Sequence, residues 1–123
     1  AIAVQAMLGL VEPQSSGLLG GAILLHYDAV SGRIDSYIGR ERAPSGAGPA
    51  MFSDDDGRAL SRAEAMLSGH ATGVPGVLQA LELAHAAHGR LDWSTLFEST
   101  ALRAGQGFAV TPRLHRHIAG AGS

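Results

Sequence analysis

Arg40 and Glu41, in "GRERAP" at residues 39–44, are the residue types best suited to recognition chemistry in this chain. A guanidinium grips a carboxylate through two parallel hydrogen bonds, which no other side chain reproduces. Arg40 falls where a strand-like run ends, a place where sheet-borne sites commonly start. Glu41 beside it could orient the guanidinium or stitch the loop down. A surface Arg–Glu salt bridge at a strand end is the commoner arrangement, and the residues alone leave both readings open. Arg42, further along the same loop, is expected to face solvent.

The other constellations are weaker. His85 and His88 stand three apart on a helical pattern and could share a face. A metal site there needs more ligands, and Glu82 is the only local candidate. The commoner role of such histidines is to satisfy the last carbonyls and the dipole of the helix. His115 and His117 are two apart and do not face each other on a helix. "DDDG", 54–57, has the look of a calcium loop, but Gly57 in the sixth position makes Phe52 the first ligand and Ala63 the twelfth. Neither can ligate through its side chain, so a solvated acidic turn is expected. Ser15 and Ser16 precede Gly17 without nucleophile-elbow spacing, and Ala1 cannot act as an N-terminal nucleophile. The glycines of "SSGLLGGA" follow a helical pattern and precede a strand, the reverse of a phosphate-binding loop. Gly17, Gly20 and Gly21 are therefore read as a tight turn between packed elements. No catalytic residue and no metal ligand is assigned to the chain.

Positioning these side chains requires elements the sequence marks clearly. The 123 residues are 46% hydrophobic with a formal charge of −2, enough for one domain with a real core. All nine basic residues are Arg, and they form no basic stripe of the kind nucleic acid requires. There is no cysteine, hence no disulfide or thiolate site, and no apolar run of membrane-spanning length. Residues 1–11, apolar nearly all round, predict a buried helix stopped by Pro13. Residues 22–27 predict an interior strand, apolar on both faces. "DAVSGR" predicts a turn with Gly32 in the left-handed region, and 33–39 the returning antiparallel strand. A long loop rich in Pro, Gly and Asp follows. Ser61 and Glu64 have capping-box spacing before a short helix, and "SGHATGVPG" is an extended link. A strong helix runs over 76–88 to Gly89. Asp92 is placed to cap a helix over 93–105. Thr111 and Pro112 mark the N-cap and first position of a last helix. The chain starts and stops amid such patterns, so it is read as a segment, 1–123, of something larger.

In this order the pieces resemble one family. "VQAMLGLVEPQSSGLLGGAILLHYDAVSGRIDSYIGRERAP", "GVPG", "LELAHAAHGRLDWSTLFE" and "GQGFAVTPRL" are similar to the large-subunit region of γ-glutamyltranspeptidases, over essentially the whole chain. The EPQSSG, R-E-x-A-P, GVPG and HGRL-x-W blocks carry the resemblance. It implies an α+β segment of the αββα sandwich of N-terminal nucleophile hydrolases: buried helix, hairpin, long loop, then helices. It implies a precursor that cuts itself into two subunits. The small subunit's new N-terminal Thr attacks the γ-glutamyl amide of glutathione or a similar compound. The γ-glutamyl group then passes to water, an amino acid or a peptide, with no cofactor. The arginine of R-E-x-A-P, here Arg40, is implied to hold the α-carboxylate of the glutamyl group, with Glu41 in support. The nucleophile belongs to the small-subunit partner, so this chain alone is expected to be inactive. Family members are often periplasmic or secreted.

Leu19 and Ala22 interrupt the family's longer glycine run, Asp92 stands where Pro is usual, and Arg103 and Gly105 fall in a helix that is usually amphipathic. These departures keep two alternatives in view. One is a related N-terminal nucleophile acylase of the cephalosporin acylase or capsule transpeptidase type; the other is a non-catalytic diverged fragment.

Overall fold

A computed structural model describes residues 1–121. Helix α1, Ile2–Val11, is followed by the hairpin strands β1, Ala22–Tyr27, and β2, Ile34–Gly39. Then come α2, Arg62–Leu67, a 3-10 turn at Gly69–Ala71, and the helices α3, Val77–His88, α4, Thr95–Gln106, and α5, Pro112–Gly120. The predicted order of helix, hairpin, long loop and several helices is the order found.

The hairpin is antiparallel, in register from Ala22 opposite Gly39 to Tyr27 opposite Ile34. Its turn is set by local chemistry. Gly32 adopts φ +70°, in the left-handed region that a Cβ disfavours. Asp28 accepts hydrogen bonds from the Ser31 hydroxyl at 2.6 Å and the Val30 N–H at 2.9 Å. These bonds, the hydroxyl's first, hold its carboxyl below the usual range.

Helix α3 lies across one face of the hairpin. Val77, Ala80, Leu81 and Ala84 are its buried residues. A fully buried Val or Leu side chain contributes roughly 1.5–3 kcal/mol relative to an exposed one. The approach is close because the contact residues are small. A Cβ on Gly39 would lie 2.4 Å from the Gly76 carbonyl oxygen and 2.7 Å from the Ala80 Cβ. Gly76 is the N-cap of this helix and Gly89 its C-cap, so it starts one residue later than the sequence indicates and stops where expected.

Within this segment the two elements read as buried are only partly covered. Strand β1 is not interior on both faces: Ile23, Leu25 and Tyr27 point away from α3 and are open, as are Ile34 and Ile38 opposite. Side chains alternate across a strand, and α3 covers only one side. Helix α1 packs on α4, yet only Ala6 is buried and Val4 is 60% exposed. An all-apolar helix needs neighbours all round, and the described residues supply them on one flank.

The caps mostly follow the sequence. Ser61 and Glu64 form a reciprocal capping box at the start of α2. Thr111 accepts from the Leu114 N–H at 3.1 Å, with Pro112 first in α5. Asp92 does not cap α4. Ser94 is the N-cap residue, without a side-chain bond, and the chain enters the helix through turns onto the Trp93 and Ser94 carbonyls. The link over 68–76 holds the short 3-10 turn instead of being extended throughout. Arg103 and Gly105 are exposed, and α4 runs through both to Gln106.

Candidate functional site

Strand β2 ends at Gly39 and delivers Arg40 to the edge of an open cleft of about 580 Å³. Arg40, Glu41, Pro44, Phe52 and His70 are among the residues lining it. The Arg40 side chain is 65% exposed, and its Nη2 lies 3.4 Å from Glu41 Oε2. That separation is an ion pair at the loose end of contact, which leaves most of the fork of donors available. Arg42 is exposed, as expected, but it lines the same cleft and pairs through its backbone with Val74 in both directions, at 3.2 and 2.8 Å.

Glu41 is held by glycines. A Cβ on Gly21 would come within 2.5 Å of Glu41 Oε2 and 2.8 Å of the Gly39 carbonyl oxygen; one on Gly73 would come within 3.0 Å of the Glu41 Cβ. The Gly20 carbonyl accepts from the Gly76 and Val77 N–H groups at 3.1 and 3.2 Å. Three separate blocks, "GG" at 20–21, "GRER" at 39–42 and "GVPG" at 73–76, therefore meet around the Glu41 side chain and the Gly39–Arg40 backbone. The glycine-rich turn packs against the Glu41 side chain, and Glu41 in turn pairs with Arg40. Glycine is required at Gly21 because a Cβ there would run into the Gly39 backbone carbonyl at 2.8 Å, which cannot give way as the end of the Glu41 side chain can.

The EPQSSG block is a clasp. Ser15 and Ser16 donate their N–H groups to the Glu12 carbonyl, and Gln5 of α1 donates to Ser16 Oγ at 3.0 Å. Arg113 of α5 reaches Ser15 Oγ at 2.8 Å and pairs with Glu12 at 3.5 Å. The serines hold elements together. Asp54 of "DDDG" is likewise spent on its own turn, accepting from Arg58 Nε at 3.0 Å and from the Arg58 N–H at 2.8 Å. Gly57 turns that loop at φ +77°.

The two helical histidines part company. His85 Nε2 bonds to the Leu91 carbonyl at 2.8 Å and its ring meets Trp93 edge-on. His88 reaches the hairpin: its Nε2 lies 2.8 Å from the Tyr37 hydroxyl and 3.5 Å from Asp35 Oδ2, and its ring stacks on His26 at 3.7 Å. The expectation that Glu82 is the only ligand candidate near these histidines is thus corrected, since the side chains around His88 come from β1 and β2. The signal for this was present, because the hairpin register sets His26 directly opposite Asp35.

The chain matches the family model described as Gamma-glutamyltranspeptidase over residues 1–122. It is 38% identical over 110 residues to the glutathione hydrolase proenzyme of Bacillus subtilis subsp. natto, covering 89% of this chain and 19% of that protein. It thus spans about a fifth of the length of that relative. The γ-glutamyltranspeptidase from Pseudomonas nitroreducens complexed with L-DON superposes with a TM-score of 0.87 at 27% identity, over 98% of this chain and 35% of that one. The transpeptidase enzyme CapD of Bacillus anthracis, crystal form II, superposes with a TM-score of 0.73 at 26% identity, over 95% of this chain and 34% of that one.

Proposed function

Since the chain belongs to the γ-glutamyltranspeptidase family, with the α+β fold of an N-terminal nucleophile hydrolase segment, we propose that it is part of the large subunit of a γ-glutamyltransferase or glutathione hydrolase, and that its own contribution is to bind the glutamyl group. The parent enzyme cleaves γ-glutamyl amides through a γ-glutamyl-enzyme formed on the N-terminal Thr of a small subunit. It passes the glutamyl group to water or to an amino acid or peptide. The family relatives this chain matches include glutathione hydrolases of bacteria, plants and animals. None of the described helices is long and apolar enough to cross a membrane. A periplasmic or secreted site of action is part of the proposal.

The observation that carries this reading is the state of Arg40. Its guanidinium stands 65% exposed at the cleft, touched by one carboxylate at 3.4 Å. A side chain so placed can receive a second carboxylate in its fork without first breaking a tight pair. Glu41, anchored on Gly21 and Gly73, fixes the guanidinium's position. This supports Arg40 as the holder of the substrate α-carboxylate and Glu41 as its positioning residue.

The test is assay of the isolated chain and of the parent protein on a chromogenic γ-glutamyl anilide. The parent should release the chromophore and form a γ-glutamyl adduct on the small-subunit Thr, while the isolated chain should match a heat-killed control. Turnover by the isolated chain, or a parent product with no adduct and no turnover, would overturn the proposal.

A further inference from the structure

We propose that His26, Asp35 and His88 form a zinc site that fastens the hairpin to the C-terminal end of α3. The three side chains come from β1, β2 and α3, and each offers a ligand atom within 4.8 Å of the others. None is fully exposed; the His88 and Asp35 side chains are 22% and 29% exposed. Two imidazoles and one carboxylate are a donor set that zinc takes readily, and three protein ligands leave a fourth position for water.

The geometry is close to what the ion needs. Ligand atoms about 2.0–2.2 Å from a tetrahedral zinc stand about 3.3–3.6 Å from one another. His88 Nε2 and Asp35 Oδ2 are already 3.5 Å apart. Zinc has to displace two present partners, the Arg33 Nη2 that donates to Asp35 Oδ2 at 3.1 Å and the Tyr37 hydroxyl 2.8 Å from His88 Nε2, and His26 has to turn. Its ring lies flat on that of His88, 3.7 Å away and inclined by 8°, so the lone pairs of the two rings run side by side instead of converging. A turn of the His26 ring brings one nitrogen round to the other two donors. That turn sacrifices little hydrogen bonding, because His26 Nδ1 is buried and has no hydrogen-bond partner. A buried imidazole nitrogen left unbonded is costly in a protein interior, and a cation among these donors supplies what it lacks. The register of the hairpin and the cap of α3 at Gly89 fix the three Cα positions, so the site is built by the fold and not by a mobile loop. The site is separate from Arg40 and does not rest on the proposed activity.

The experiment is calorimetric titration of zinc chloride into untagged protein, as the full chain within whatever longer product its gene encodes. One equivalent of zinc should bind and raise the thermal midpoint, since an ion bound only by the folded form stabilises it. Asp35→Asn, His26→Ala and His88→Ala should each weaken binding by at least about tenfold, while His85→Ala and His115→Ala leave it unchanged. His88→Ala also removes the Tyr37 contact, so Asp35→Asn, which keeps the side-chain shape, decides if that variant fails to fold. Cobalt(II) should give the intense visible spectrum of a tetrahedral ion. Zinc binding that is undiminished in Asp35→Asn and His26→Ala, or no saturable binding to the folded protein, overturns the site.

Discussion

Replacing Arg40 by Ala in the parent protein separates a binding role from a structural one. The stability cost is small on the geometry: a 3.4 Å pair with Glu41, its partners 65% and 35% exposed, falls among surface salt bridges that contribute about 0–1 kcal/mol. The thermal midpoint should therefore hardly move. The catalytic cost is larger, because the substrate carboxylate loses its partner. Removing one member of a desolvated charge pair costs about 2–5 kcal/mol, and each 1.4 kcal/mol is tenfold, which gives a loss of roughly thirtyfold to several thousandfold. The openness of the cleft around Arg40 leaves the pair partly solvated and favours the lower end. The assay is kcat/KM on a γ-glutamyl anilide and on an analogue lacking the α-carboxylate. Only the first should suffer the loss. Arg40→Lys should recover part of it, since an ammonium cannot form the fork. The control is the exposed Arg90, because Arg42 shares the cleft with Arg40. Equal loss on both substrates would falsify the assignment and make Arg40 a structural residue.

Gly39→Ala should destabilise by about 1–3 kcal/mol or more, since its Cβ meets backbone at 2.4 Å; chemical denaturation measures it. Gly105→Ala faces open space within α4, and the same measurement should give a gain of about 0.5–1 kcal/mol. Ser61→Ala removes the capping box of α2 and should cost about 0.5–2 kcal/mol, seen as faster amide exchange confined to 62–67. Asp54 titrates below its ordinary value of 3.8 because Arg58 and backbone N–H groups bind its charged form. Its contribution is thus fully present above that ordinary value and is lost as the pH falls through the lower, folded one. Chemical shifts of 54–58 followed in acid should report the loosening only there, and loosening near neutrality would refute it.

Local elements were legible in the sequence because their causes are local. Glycine at 32 sets a turn, Ser61 and Glu64 close a capping box, and Thr111 with Pro112 opens a helix, all within a few residues of chain. Arg40 was legible as a recognition residue from its type, its place at a strand end and the family resemblance. What surrounds it was not. That Gly20, Gly21, Gly73 and Gly76 converge on Glu41 and Gly39 depends on three segments distant in the chain, and nothing in any one of them announces the others. What covers the outer faces of α1 and β1 was not legible for the same reason: apolar composition says what a face prefers to meet, while the fold decides what it does meet. His26, Asp35 and His88 show both halves. Strand alternation and register, properties of one hairpin, set the first two side by side. Only the crossing of α3 over that hairpin, fixed by the close glycine contact between residues 39 and 76, brings the third within reach.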